Sequence, residues 1–208
     1  MLTKKLPFLT MAIFFSLLMG CAGTQSNIPV DEFSVEPGTT VARKGQSFKL
    51  LGTPIAVGKP LPSVELRDAN TMAKVDLSTM KGSILFLSIV PSLDTPVCEA
   101  QTHYLGEEGD KLSPEIKRII ISRDTPFAQK RFAKEAKLTG LQYLSDHGDA
   151  SFGKATGLLI DDLMLLSRSV ILVDKEGKVR YIQVVPDITH LPDMERAFQK
   201  AEALQGEE

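Results

Sequence analysis

The chain has 208 residues, of which 43% are hydrophobic, and this is enough for the core of one ordinary domain. Its formal net charge of −2 indicates neither nucleic acid nor a polybasic membrane-binding surface. Cys21 and Cys98 are the two cysteines, and no C-x-x-C pair exists, which excludes a dithiol redox motif and a zinc knuckle. No spacing of histidine, cysteine and carboxylate predicts a metal site, and we expect no cofactor.

The first 20 residues have the proportions of a signal peptide. Lys4 and Lys5 precede an apolar run at residues 6–19, which is shorter than the about 20 residues that a membrane-spanning helix needs. The junction Leu18-Met19-Gly20-Cys21 resembles the lipobox of bacterial lipoproteins, in which the cysteine is acylated and the peptide is cut before it. The resemblance implies a lipid anchor on Cys21, with a plain secretory signal or an uncleaved anchor as the alternatives. Cleavage would remove both lysines and change the net charge from −2 to −4.

Residues 21–44 contain Gly, Ser, Thr, Asn and Pro with few large apolar side chains, and this predicts a flexible tether. One globular domain is expected over residues 45–208. In lipoproteins of enteric-type bacteria an Asp after the acylated cysteine retains the protein at the inner membrane. Ala22 therefore favours the periplasmic side of the outer membrane within the bacterial cell envelope.

The domain begins with a predicted β-hairpin, formed by Phe48–Leu51 and Ile55–Val57 around Gly52-Thr53-Pro54. Residues 83–90 (SILFLSIV) form a continuous apolar run, as expected for a strand buried on both faces. The other predicted strands lie at residues 64–66, 74–77, 116–122, 141–144, 169–173 and 178–185, and the helices at 96–111, 126–136, 149–156 and 192–204. Parallel βαβ units followed by an antiparallel hairpin and a helix predict an α/β, thioredoxin-like mixed sheet flanked by helices.

Cys98 lies at the start of the first predicted helix of this domain. A thiol attacks a hydroperoxide only as the thiolate, so its surroundings must favour the anion. Thr95 is a preferred N-cap type and Pro96 suits the first helical position, which places Cys98 where unpaired N–H groups and the helix dipole favour negative charge. Asp94 and Glu99 oppose this effect, so we expect a nearby cation that chain position alone does not identify.

The string Pro91-x-x-x-Thr95-x-x-Cys98 matches the active-site signature of peroxiredoxins. Residues 90–98 (VPSLDTPVC) resemble more specifically the bacterial thiol peroxidase subfamily. Further segments share that resemblance in the same order, namely 124–132 (DTPFAQKRF), 144–147 (LSDH), 150–153 (ASFG) and 165–170 (LLSRSV). The resemblance covers residues 45 to 204 and implies a thioredoxin-like peroxiredoxin fold with an N-terminal β-hairpin, a homodimer, and reduction of hydrogen peroxide and alkyl hydroperoxides.

The resemblance also implies roles for four residues. Cys98 corresponds to the peroxidatic cysteine, and Thr95 to the threonine that hydrogen-bonds the thiolate and the peroxide. Pro91 corresponds to the proline that shields the sulfur. Arg168 corresponds to the arginine that supplies the missing cation, and its permanent charge and planar fork of donors suit an anion.

One position departs from the family pattern. The subfamily places its resolving cysteine directly after the Arg-Phe of the second helix, whereas this chain has Ala133 after Arg131-Phe132. With this departure the resemblance predicts a one-cysteine cycle, in which a thioredoxin-like protein or a small thiol reduces the sulfenic acid on Cys98. A peroxide sensor and a non-catalytic envelope lipoprotein are the alternatives.

Overall fold

The computed structural model describes residues 28–206. The predicted signal peptide and the predicted lipid attachment at Cys21 lie outside the described residues. Within residues 28–206, no helix is long and apolar enough to span a bilayer.

Thirteen strands and four α-helices make up the described part of the chain. In chain order they are β1 (Val30–Asp31), β2 (Thr40–Arg43), β3 (Gln46–Leu51), β4 (Glu65–Asp68), β5 (Lys74–Asp76), β6 (Ile84–Ile89), α1 (Pro96–Glu107), β7 (Ile116–Ser122), α2 (Pro126–Ala136), β8 (Leu141–Ser145), α3 (Ser151–Thr156), β9 (Leu159–Ile160), β10 (Leu165–Leu166), β11 (Ser169–Val173), β12 (Val179–Val184), β13 (Leu191–Pro192) and α4 (Met194–Gln205). A short 3-10 turn, Glu108–Lys111, completes the predicted first helix.

The central sheet has seven strands in the order β12-β11-β6-β7-β8-β4-β5. β6, β7 and β8 are parallel, while β11 runs antiparallel to β6 and β4 runs antiparallel to β8. All six residues of β6 are buried, as expected for a strand covered on both faces. This arrangement confirms the predicted mixed sheet of parallel units with an antiparallel hairpin.

Two hydrophobic clusters cover the two faces of this sheet. One includes apolar side chains of α1 and α4, with α2 packed against it, and the ring of Phe198 meets that of Phe86 edge-on at 5.4 Å. The other lies under a four-stranded sheet of order β10-β9-β3-β2, together with Phe152 of α3. The first cluster positions the functional site, because it contains Cys98.

The N-terminal prediction was wrong in two respects. The hairpin is formed by β2 and β3 around Lys44 and Gly45, whose φ angles of 50° and 82° suit a tight two-residue turn. On its other side β3 pairs with β9, so residues 55–57 form no strand. The predicted tether, residues 21–44, is too long. β2 lies within the four-stranded sheet, and β1 pairs in parallel with β13.

Candidate active site

Cys98 lies in the first turn of α1, as the Thr-Pro pair predicts. Thr95 is the N-cap residue with extended backbone angles of −140° and 143°, and Pro96 occupies the first turn. The Thr95 hydroxyl does not cap the helix but donates to the Ser92 carbonyl at 3.0 Å, so its predicted capping bond is absent. The backbone N–H groups of Val97 and Cys98 have no intrahelical acceptor in this first turn, and they can favour an anion there.

The structure brings Arg168 directly to the sulfur, although the two residues are 70 positions apart. Nη2 of Arg168 donates to Sγ of Cys98 at 3.3 Å, and Arg168 is only 2% exposed. The guanidinium is held on two further sides, because Nε donates to the Ile188 carbonyl at 2.9 Å and Nη1 donates to Oε1 of Gln101 at 2.7 Å. The guanidinium therefore presents a fixed positive charge to the sulfur in a buried setting.

Gln101 and Ser88 belong to this network, and sequence reasoning missed both. Nε2 of Gln101 donates to Oγ of Ser88 at 2.8 Å, and both residues are fully buried. Gln101 follows Cys98 by three positions and so shares its helical face. Ser88 is the one hydroxyl inside the buried strand β6. Each of the two is a polar side chain at a position where an apolar one is expected, and this was the signal that could have revealed them. Buried polar groups need hydrogen-bond partners.

A cavity of about 300 Å³ lies next to this network. Pro91, Thr95 and Arg168 line it, together with Arg43, Ser92, Val97, Leu163, Leu165, Ile188 and Thr189. Cys98 is 0% exposed and contacts one of these lining residues, Arg168. Apolar walls with the two guanidinium groups of Arg43 and Arg168 suit a small molecule that has an apolar body and a polar reactive end. Two larger clefts, of about 440 and 450 Å³, touch none of these active-site residues.

Ala133 lies in α2, at the position to which the sequence resemblance assigns a resolving cysteine. It is partly buried and packs against the same hydrophobic cluster that contains Cys98. Cys98 is the free cysteine of residues 28–206. No group of three or more His, Cys, Asp and Glu side chains in that range is arranged to hold a metal ion.

Comparison with known proteins identifies the family. The redoxin profile matches residues 56–198, and the thiol peroxidase of Halalkalibacterium halodurans is 40% identical over 79% of this chain and 98% of its own length. The chain belongs to the thiol peroxidases of the redoxin family. The thiol peroxidase of Bacillus subtilis is 39% identical over 77% of this chain and 95% of its own length. These matches confirm the family that the motif around Cys98 predicts.

Solved structures agree with this thiol peroxidase assignment. A peroxiredoxin-like protein from Aquifex aeolicus is 33% identical, with a TM-score of 0.74 over 79% of this chain and 96% of its own. A thiol peroxidase from Chromobacterium violaceum superposes with a TM-score of 0.67 at 22% identity over 79% of this chain and 98% of its own, which supports the fold alone. The predicted thioredoxin-like peroxiredoxin fold is therefore confirmed. Members of this enzyme class reduce hydroperoxides with electrons from thiols.

Proposed function

We propose that this thiol peroxidase reduces hydrogen peroxide and alkyl hydroperoxides through Cys98 in a one-cysteine cycle. The observation that carries the proposal is the buried hydrogen bond of 3.3 Å from the Arg168 guanidinium to the Cys98 sulfur. A buried cation beside a lone thiol at a helix start is the setting in which a cysteine becomes a nucleophile.

In the first step the Cys98 thiolate attacks the terminal oxygen of the hydroperoxide. An S–O bond forms and the O–O bond breaks, so Cys98 becomes a sulfenic acid. The leaving alkoxide, or hydroxide when the substrate is hydrogen peroxide, takes up a proton from solvent and departs as an alcohol or as water. Arg168 and the N–H groups of the first turn of α1 offset the charge that moves onto the leaving oxygen. Because the Thr95 hydroxyl already donates to Ser92, we assign it the role of accepting the peroxide O–H.

In the second step a thiol from outside the chain attacks the sulfenic acid. This produces a mixed disulfide and water, and a second thiol then releases Cys98 and leaves as part of a disulfide. Ala133 supports this proposal, because it cannot form the intramolecular disulfide of the related enzymes. The reductant is a thioredoxin-like protein or a small thiol.

We further propose that the mature protein is a homodimer held at the bacterial cell envelope by a lipid on Cys21, on the periplasmic side of the outer membrane. The support for the anchor is the run of residues 1–21, and the support for the dimer is the family resemblance. Mass spectrometry of the membrane fraction should detect an acylated N-terminal Cys21, and Cys21→Ser should release the protein. An unmodified soluble protein would contradict the anchor. Light scattering of purified residues 22–208 tests the dimer.

Single-turnover kinetics test the peroxidase reaction. Because the chain lacks tryptophan, acid quenching with thiol counting by mass spectrometry is the suitable readout. Mixing with cumene hydroperoxide should consume the Cys98 thiol far faster than a free thiol reacts, and dimedone should trap a persistent sulfenic acid. Cys98→Ser is the matched control. Consumption of the Cys98 thiol no faster than that of free cysteine would contradict the proposal.

A further inference from the structure

The loop that leads into α1 is fastened to a distant part of the chain by one carboxylate. Asp124 lies between β7 and α2, more than 30 residues after this loop. Its Oδ1 accepts a hydrogen bond from the Ser92 hydroxyl at 2.8 Å, and its Oδ2 accepts one from the Leu93 backbone N–H at 2.7 Å. Oδ2 also accepts from the Ser122 hydroxyl at 2.8 Å, which ties the carboxylate to the end of β7.

Ser92 transmits this attachment to the helix that carries Cys98. The Ser92 hydroxyl, which donates to Asp124, accepts from the backbone N–H of Asp94 at 3.4 Å. The Ser92 carbonyl accepts from the hydroxyl of Thr95, the N-cap residue of α1. Moving Ser92 away from Asp124 would therefore also move Thr95 and the first turn of α1.

The two steps of the proposed cycle place opposite demands on this loop. Attack on peroxide needs the closed arrangement, in which the sulfur contacts Arg168 beside the cavity that this arginine lines. Reduction by an outside thiol needs the sulfur to be reached, yet Cys98 is 0% exposed. The loop and the first turn of α1 must therefore separate from the site between the two steps.

We propose that Asp124 is a positioning residue that sets the balance between the closed, peroxide-reactive state and an open, thiol-accessible state. This proposal rests on the proposed one-cysteine cycle. Hydrogen bonds to a carboxylate are stronger than those between neutral groups, so two of them hold the loop closed until the site opens. Asp124 touches neither peroxide nor sulfur and acts through Ser92 and Thr95.

The test measures both half-reactions in the Asp124→Asn variant. Asparagine has one acceptor oxygen instead of two, so it cannot accept from both Ser92 and Leu93 in the present geometry. We expect consumption of the Cys98 thiol by cumene hydroperoxide to slow about tenfold, and reduction of the pre-formed sulfenic acid by 2-mercaptoethanol to accelerate about tenfold. Opposite changes in the two rates distinguish loop positioning from general damage to the fold.

Two further variants sharpen the test. Ser92→Ala removes only the hydroxyl bond to Asp124 and should shift both rates in the same opposite directions by a smaller factor. Asp149→Asn makes the same loss of a carboxylate charge at an exposed position outside the site, so the ratio of the two rates should stay near that of the wild type. Circular dichroism and thermal unfolding verify the fold, and if Asp124→Asn does not fold, Ser92→Ala decides.

The proposal is overturned if the folded variant slows both half-reactions, accelerates both, changes only one of them, or changes neither. Failure of the proposed function has a different signature, since it is seen in the wild-type protein. There the sulfenic acid would not form, or 2-mercaptoethanol would not reduce it.

Discussion

The start of α1 and the middle of α2 pack against the same hydrophobic cluster, yet their side chains differ in the chemistry they can perform. At the start of α1, Cys98 has a guanidinium, free helix N–H groups and a closed cavity wall around it. In the middle of α2, Ala133 supplies a partly buried methyl group where the family resemblance implies a second thiol. The proposed attack on peroxide depends on a prearranged network around the sulfur, whereas an intramolecular second step would also need a thiol on α2. A change at position 133 can therefore remove that thiol and leave the network around Cys98 in place.

The largest effect should come from removing the positive charge of Arg168 beside the start of α1. Arg168→Met deletes the donor to the sulfur, and we expect consumption of the Cys98 thiol by cumene hydroperoxide to fall about 10²–10³-fold. The ultraviolet absorbance of the thiolate should fall with it. Arg168→Lys keeps the charge but loses the planar fork that reaches Gln101 and Ile188, so its rate should be intermediate. A wild-type rate in Arg168→Met would contradict the role assigned to this residue.

Placing a thiol at position 133 of α2 should change how the sulfenic acid on Cys98 is resolved. In Ala133→Cys we expect the sulfenic acid to disappear at least about tenfold faster, because an intramolecular thiol has a high effective concentration. Peptide mapping should find a disulfide between positions 98 and 133, and labelling by dimedone should fall. Ala136→Cys, about one turn further along the same helix, is the control for a thiol that is merely nearby. If dimedone labelling stays unchanged in Ala133→Cys, resolution requires more of α2 than its cysteine.

Gln101 should matter less than Arg168, because it acts by holding the guanidinium. Gln101→Leu removes the acceptor at 2.7 Å from Arg168 Nη1, and the rate of peroxide attack should fall about tenfold. Ser88→Ala removes only the far end of the network and should have a smaller effect. A shift in the pH profile of peroxide attack without a matching fall in the thermal midpoint would separate positioning from loss of stability. Equal effects of Gln101→Leu and Ser88→Ala would contradict the prediction that Gln101 matters more than Ser88.

The smallest effect concerns the segment that supplies the Ile188 carbonyl. Burial alone would raise the pKa of the preceding Asp187, but the Thr189 N–H and hydroxyl, with His190 and the Lys44 N–H, hold it below the ordinary 3.8. A lowered carboxylate pKa stabilises the fold above the unfolded value, and this stabilisation is lost as pH falls through the folded value.

Thr189→Ala removes the hydroxyl bond of 2.7 Å to Asp187 and should lower stability by about 1 kcal/mol, or Tm by about 2–4 °C, at neutral pH. Thermal unfolding between neutral and acid pH should show the deficit shrinking as Asp187 becomes protonated. Thr139→Ala, at an exposed position beyond α2, should show neither effect. A deficit that grows on acidification would contradict the assignment.

The sequence alone determined the features that depend on neighbours along the chain. Apolar periodicity predicted β7, α2 and β11 with the bounds they have, because burial of one face or of both leaves a regular pattern. The Thr-Pro pair placed Cys98 in a first helical turn, and the residue type at position 133 removed the resolving thiol. The two-residue strands β1, β9, β10 and β13 are too short to carry any period, and they were missed.

Only the tertiary structure decided which side chains meet at the sulfur. From its place in the sequence, Arg168 is an ordinary charged residue. Only the family resemblance identifies it as a candidate site residue. The sheet order places β11 antiparallel to β6 with Ser169 opposite Ile89, which brings Arg168 to the end of β6 where the Cys98 loop departs. Ser88 joins this network from β6 through Gln101, and Asp124 holds the loop before α1 from the segment between β7 and α2. Such contacts depend on strand order and register, and no local pattern encodes these, because they arise only when the whole core packs.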